Sequence, residues 1–167
     1  MARPFWKTSS ARRKARRPCR TGDTIIELVC ALAIIAALSA AGAPRFAKAI
    51  TARRAEAAAR RLSADLEWLR STARLTSTSQ SMTFNLAAST YNLTGFTNPD
   101  VPGAAYSVNL ANTTYKTTIA SLNFGGATTL SFNGYGIPSA GGTVVVQSGN
   151  STRTVAVDGT TGVVTWQ

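Results

Sequence analysis

TGDTIIELVCALAIIAALSAAGAP, residues 21–44, is the stretch on which the fold turns. From Ile25 to Ala43 it carries one charge, Glu27, and Ile, Leu and Val recur on every side of a helix drawn through it. At 1.5 Å per residue the segment reaches roughly 28 Å, about the thickness of one hydrocarbon core. A helix that is apolar all round reads as a membrane span or as a deeply buried helix. Residues 1–22 hold eight basic residues and no acid, which favours the span. Basic residues before such a span place the N-terminus in the cytoplasm and the remainder outside.

Working outward, the composition divides the chain. Of its 167 residues 18 are Lys or Arg and 7 Asp or Glu, for a formal charge of +11. Residues 45–74 hold eight basic residues and three acids, whereas beyond Leu75 there are only Lys116, Arg153, Asp100 and Asp158. Without residues 1–22 the remainder carries +3, so the basic character is mostly topogenic. There is no histidine, and the only cysteines are Cys19 and Cys30. That excludes His-dependent triads, His-bearing zinc sites and a disulfide framework. Outside the helix the only carboxylates are Asp100 and Asp158, both beside turn residues, with no His or Cys available as a partner. No catalytic residue, no metal site and no cofactor is expected, and the chain is read as a non-enzyme.

The motif Thr21-Gly22-Asp23-Thr24-Ile25-Ile26-Glu27-Leu28 resembles the signal of type IV prepilins and type II secretion pseudopilins. In that pattern a basic leader ends in Gly, and a Thr-Leu-Ile-Glu-Leu-like sequence opens the apolar helix. The resemblance implies cleavage between Gly22 and Asp23 by a prepilin peptidase, which also N-methylates the new terminus at Asp23. It makes Glu27 the fifth mature residue, the one that pairs with a neighbouring subunit's terminal amine during assembly. Pro44 becomes the twenty-second, where the family places a helix kink. Asp23 departs from the usual Phe or Met. The implied partners are other pilins or pseudopilins, the inner-membrane assembly platform and the peptidase. The implied location is the inner membrane, single-pass, with the head in the periplasm and the subunit incorporated in a filament there. The same motifs serve secretion and pilus systems alike.

Beyond Pro44, the run RFAKAITARRAEAAARRLSADLEWLRSTARL (residues 45–75) has strong helix formers and no Gly or Pro. Phe46, Ile50, Ala57, Ala58, Leu62, Leu66, Leu69 and Ala73 recur at mostly helical steps, predicting an amphipathic stripe that packs on the head. Arg53, Arg54, Arg60, Arg61 and Glu67 mark the polar side. They read as a solvated face that meets a neighbour's acids, with a phosphate-binding face as the sharper option. Thr24 to Leu75 then forms one helix kinked near Gly42-Ala43-Pro44, roughly 75–80 Å long.

After Thr76 the composition turns to Thr, Ser, Asn, Gly and Val. Alternating runs at Met82–Leu86, Thr90–Leu93, Thr129–Asn133, Thr143–Gln147, Thr154–Val157 and Val163–Trp166 are separated by turn signals such as Asn133-Gly134 and Asp158-Gly159. They predict hairpin-connected antiparallel strands, with two more at Tyr106–Leu110 and Tyr115–Ala120 in a loop-rich stretch. The fold class is therefore α+β: a long N-terminal helix, half transmembrane and half amphipathic, packed on an antiparallel β head of two sheets. The divisions are 1–22 (cleaved basic leader), 23–44 (transmembrane and assembly helix), 45–75 (amphipathic helix) and 76–167 (periplasmic head). The run Leu130-Ser-Phe-Asn-Gly-Tyr-Gly-Ile-Pro138 with the following Val-rich strands is similar to the H-type minor pseudopilin and FimT-like group. The resemblance implies a minor subunit, or a tip or initiation component, of a type II secretion pseudopilus or type IV pilus.

Two alternatives stand beside it. Ser39-Ala40-Ala41 offers a site for ordinary signal peptidase, which would make the chain an exported β-sandwich binding module. Some FimT-like members bind DNA for uptake with basic residues near the C-terminus. Here only Lys116 and Arg153 are basic after Leu75, so nucleic acid is not an expected partner.

Overall fold

The computed structural model describes residues 24–99 and 101–167. The leader (1–22), Asp23 and Asp100 lie outside the described residues, as do the side chains of residues 40–44. Two compact units are present, Met1–Ala41 and Gly42–Gln167.

Helix α1, Ile25–Thr76, contributes to both units. Thr24 precedes it as an N-cap type residue whose carbonyl accepts the amides of Glu27 (2.8 Å) and Leu28 (3.2 Å). The helix ends where Ser77 turns left-handed (φ 49°), with the Thr76 hydroxyl donating back to the Thr72 carbonyl at 2.8 Å. In the first unit the apolar side chains have no cover: Ile25 is 82% exposed and Leu38 69%. Among the described residues no helix is long and apolar enough to cross a membrane.

The second unit carries the core. Eight strands follow α1: β1 Gln80–Asn85, β2 Thr90–Thr97, β3 Ala105–Asn109, β4 Thr118–Asn123, β5 Thr129–Phe132, β6 Gly142–Ser148, β7 Ser151–Val157 and β8 Val164–Trp166. They form two antiparallel four-stranded sheets, ordered β3-β2-β1-β5 and β4-β6-β7-β8. Alternate residues point inward, as the period of two requires: Met82 and Phe84, Tyr91 and Leu93, Val144 and Val146, Val155 and Val157. Leu62, Leu66, Leu69 and Ala73 of α1 close the same core. Every buried apolar side chain among the described residues lies at Ala55 or beyond, so the unit Gly42–Gln167 contains the whole core.

The α+β class, the long helix and the two-sheet head agree with the sequence. Three details differ. The buried helical face is Ala55, Ala58, Ala59, Leu62, Leu66, Leu69 and Ala73, whereas Phe46 is 70% exposed and Ala57 is also exposed. At 3.6 residues per turn those two fall opposite Leu62 and Leu69, so the predicted stripe joined residues from two faces. Second, hairpins connect only some of the strands. The chain leaves the first sheet after β3, returns at β5 and leaves again for β6, and β1 pairs with the distant β5 (Met82 opposite Leu130). Third, β4 begins at Thr118 rather than Tyr115. Lys116 is left-handed (φ 48°), and the Thr117 amide is bound by the Leu110 carbonyl at 2.9 Å, which ends the turn before the strand starts.

Candidate functional site

Of the residues singled out in the N-terminal motif, the structure places Glu27 in the first turn of α1 and Pro44 inside the same helix; Gly22 and Asp23 lie outside the described residues. Glu27 is exposed, where its carboxylate meets the partial positive charge of the helix N-terminus. Around it Ile26 (71% exposed), Leu28, Val29, Leu32, Ile34 and Ile35 present their side chains outward on all sides. A surface of that kind in water costs on the order of 25 cal/mol per Å2 of apolar area, so the segment is built for a lipid or protein surround.

The helix–head junction holds a polar cluster that sequence reasoning missed. Asp65, an acid set among the helical arginines, is only 5% exposed. Its carboxylate accepts from the Tyr91 hydroxyl (2.6 Å), the Tyr106 hydroxyl (3.0 Å to each oxygen) and Arg61 Nε (3.2 Å). Arg61 also donates to the Tyr106 hydroxyl and lies over its ring. The cluster joins α1 to β2 and β3, and Trp68 extends it by edge contacts to Phe96 and Tyr106. Burial first, then the Asp65 charge, pushes the Tyr91 and Tyr106 hydroxyls above the usual tyrosine pKa. A buried carboxylate is tolerable here because each oxygen is hydrogen-bonded. The available sign was its position: three residues after Leu62 and one before Leu66, on the edge of the buried face.

On its other flank α1 clips the C-terminal part of the head. Arg70 donates to the carbonyls of Thr161 (2.8 Å) and Gly136 (3.3 Å), and Arg74 to that of Tyr135 (3.0 Å). The Glu67 carboxylate accepts the Val164 amide (3.2 Å), and Arg60 lies 5.0 Å from the centre of the Trp166 ring. Several of the helical charges expected to be solvated are thus used within the subunit. The Asn133-Gly134 turn is organised by Asn133 Oδ1, which accepts the amides of Tyr135 and Ile137, and it leaves the Tyr135 ring 80% exposed. Asp158 likewise accepts from Thr161 and Thr160, and those bonds hold its carboxyl below the usual carboxylate pKa. It organises a turn. Among the described residues no group of three or more Cys, Asp or Glu is placed to hold a metal ion.

A long N-terminal helix, bare in its first part and docked in its second on two antiparallel four-stranded sheets, defines a pilin-like architecture. The family model described as Type II transport protein GspH matches residues 58–161, and the chain belongs to that family of minor pseudopilins. The structure is also similar to the type IV minor pilin FimU of Pseudomonas aeruginosa (strain PAO1). One crystal form superposes with a TM-score of 0.50 and 13% identity, over 67% of this chain and 91% of that one. A second gives 0.49 and 12%, over 69% and 87%. At such identity the likeness to FimU concerns the fold alone. No curated protein matches the sequence.

Proposed function

We propose that this chain is a structural subunit of a type II secretion pseudopilus or type IV pilus, assembled through its N-terminal helix. The observation that carries this reading is the bare apolar surface from Ile25 to Leu38 on a chain whose head core is complete without it. Residues 1–22 act as a cytoplasmic basic leader and residues 23–44 as a single inner-membrane span, with the head in the periplasm. Prepilin peptidase cuts between Gly22 and Asp23 and methylates the Asp23 amine. Glu27, whose carboxylate is costly in lipid when unpaired and by about 3 kcal/mol at a helix centre, then pairs with the amine of a neighbouring subunit, which favours extraction into a filament over remaining in the bilayer. Pro44 kinks the helix at the exit from the membrane. Its partners are other pilins or pseudopilins and the assembly platform, and its role is structural rather than enzymatic. Intact-mass measurement of protein extracted from membranes tests the processing. A mature chain beginning at Asp23 with one added methyl group supports the proposal, and a chain beginning near Gly42 overturns it in favour of an exported module.

A further inference from the structure

The cluster of cations at the start of the second unit is used by none of the contacts described so far. Arg45, Lys48, Arg53 and Arg54 make no ion pair among the described residues, in contrast to Arg60, Arg61 and Arg70. At 3.6 residues per turn and 1.5 Å rise they are distributed around the helix rather than along one side, within about 14 Å of its length. Between them Phe46, Ala49, Ile50, Arg53 and Arg54 line a shallow depression of about 440 Å3, apolar in its floor and edged by two guanidinium groups. In sequence this segment directly follows the apolar one.

From these features we infer that residues 45–54 form a binding collar for anionic phospholipid, with phosphates on the arginines and acyl chains against Phe46 and Ile50. A ring of cations beside exposed apolar side chains matches a helix that passes through a headgroup layer, where arginine and lysine stems lie in the apolar zone and their charges reach the phosphates. Duplex DNA would be met along one face, and stacking on single strands would need aromatic side chains alternating with the arginines, which this segment lacks. A second copy of this chain is poorly matched. Its described acids outside the apolar segment are engaged: Glu56 by Arg60, Asp65 by Arg61 and two tyrosines, Glu67 by Arg70, and Asp158 by Thr160 and Thr161.

The inference rests on the reading of the chain as a membrane-anchored subunit, and its test does not depend on the anchor. A fragment Gly42–Gln167, which holds the entire core, is mixed with vesicles of phosphatidylcholine alone or of phosphatidylcholine and phosphatidylglycerol in equal parts, and sedimented. Binding is expected only with phosphatidylglycerol, and it should be lost between 0.1 and 0.5 M NaCl. Each cation removed should weaken it roughly five-fold, so R53S/R54S and R45S/K48S should each weaken it about 25-fold, while K116S/R153S in the head leaves it unchanged. Arg45 and Lys48 are exposed, so the R45S/K48S pair keeps the result interpretable if the other variant folds poorly. Failure to sediment with phosphatidylglycerol, equal binding to both vesicle types, or capture of duplex DNA at the same salt with vesicles left unbound would each overturn the collar. None of those results would touch cleavage at Gly22 or filament assembly.

Discussion

Replacing Asp65 with alanine tests the helix–head junction. In the native unit the carboxylate accepts from two buried hydroxyls and from Arg61. Without it the Tyr91 hydroxyl, on a side chain with no exposure, loses its acceptor, which costs about 2 kcal/mol. Tyr106 still receives a hydrogen bond from Arg61 but has no acceptor for its own proton, adding about 1 kcal/mol. Arg61 contributes little, because its side chain is 44% exposed and water takes over from the carboxylate. The sum is about 3 kcal/mol, equivalent to about 12 °C in Tm for a unit of this size. Asp65→Asn keeps one acceptor oxygen for a tyrosine and should lose about half as much. Urea unfolding of the Gly42–Gln167 fragment measures both, and a cycle with Tyr91→Phe isolates the pair. Asp65→Ala should cost about 2 kcal/mol less when Tyr91 is already phenylalanine, because the orphaned hydroxyl is then absent. A loss below 0.5 kcal/mol for Asp65→Ala, or additivity within 0.3 kcal/mol in the cycle, would refute the claim that this buried carboxylate fastens α1 to β2 and β3.

Three further outcomes are expected. Because the folded state raises the Tyr91 and Tyr106 pKa, it keeps protons that the unfolded chain releases above about pH 10. Their contribution is complete below pH 10 and is lost as pH rises past it, by about 1.4 kcal/mol per pH unit for each tyrosine, so Tyr91→Phe should flatten the alkaline decline seen in unfolding titrations. Gly142→Ala places a Cβ against the Asn123 carbonyl where β4 and β6 approach, and should cost about 3 kcal/mol in the same urea assay, whereas wild-type stability would contradict that packing. Arg70→Ala removes the clip on the Gly136 and Thr161 carbonyls; it should cost about 2 kcal/mol and speed deuterium exchange in residues 133–138 and 159–164 while leaving β1 and β2 unaffected.

The helix and most strands were legible because burial follows simple periods. Leu62, Leu66, Leu69 and Ala73 mark a helical face, and alternation in Val144–Val146 and Val155–Val157 marks inward strand positions. Alternation tells which way a side chain points but not which strand lies beside it, so the pairing of β1 with β5 and the three passages between sheets were not readable. The alternating run Thr90–Leu93 covers only the first half of β2, because Gly95 follows it. That glycine sits at φ 82° within β2, where the register with β3 shifts between Leu93 and Thr97, and the strand continues beyond this bulge. Asp65 does not stand out in the sequence because an acid among arginines has the composition of a surface, while its burial depends on Tyr91 and Tyr106, which arrive from strands far along the chain. The reading of Gly22, Glu27 and Pro44 is of a different kind: it rests on the resemblance of their spacing around one apolar run to the prepilin pattern, and no tertiary contact enters it.

The most direct test of a filament role is the recovery of Glu27→Ala, compared with wild type, in sheared filament fractions from cells that carry the assembly system. The variant should insert into the membrane as wild type does, since the substitution removes a charge from an apolar segment, and its recovery in filaments should fall at least ten-fold. Wild-type recovery in the filament fraction would contradict assembly through the N-terminal helix.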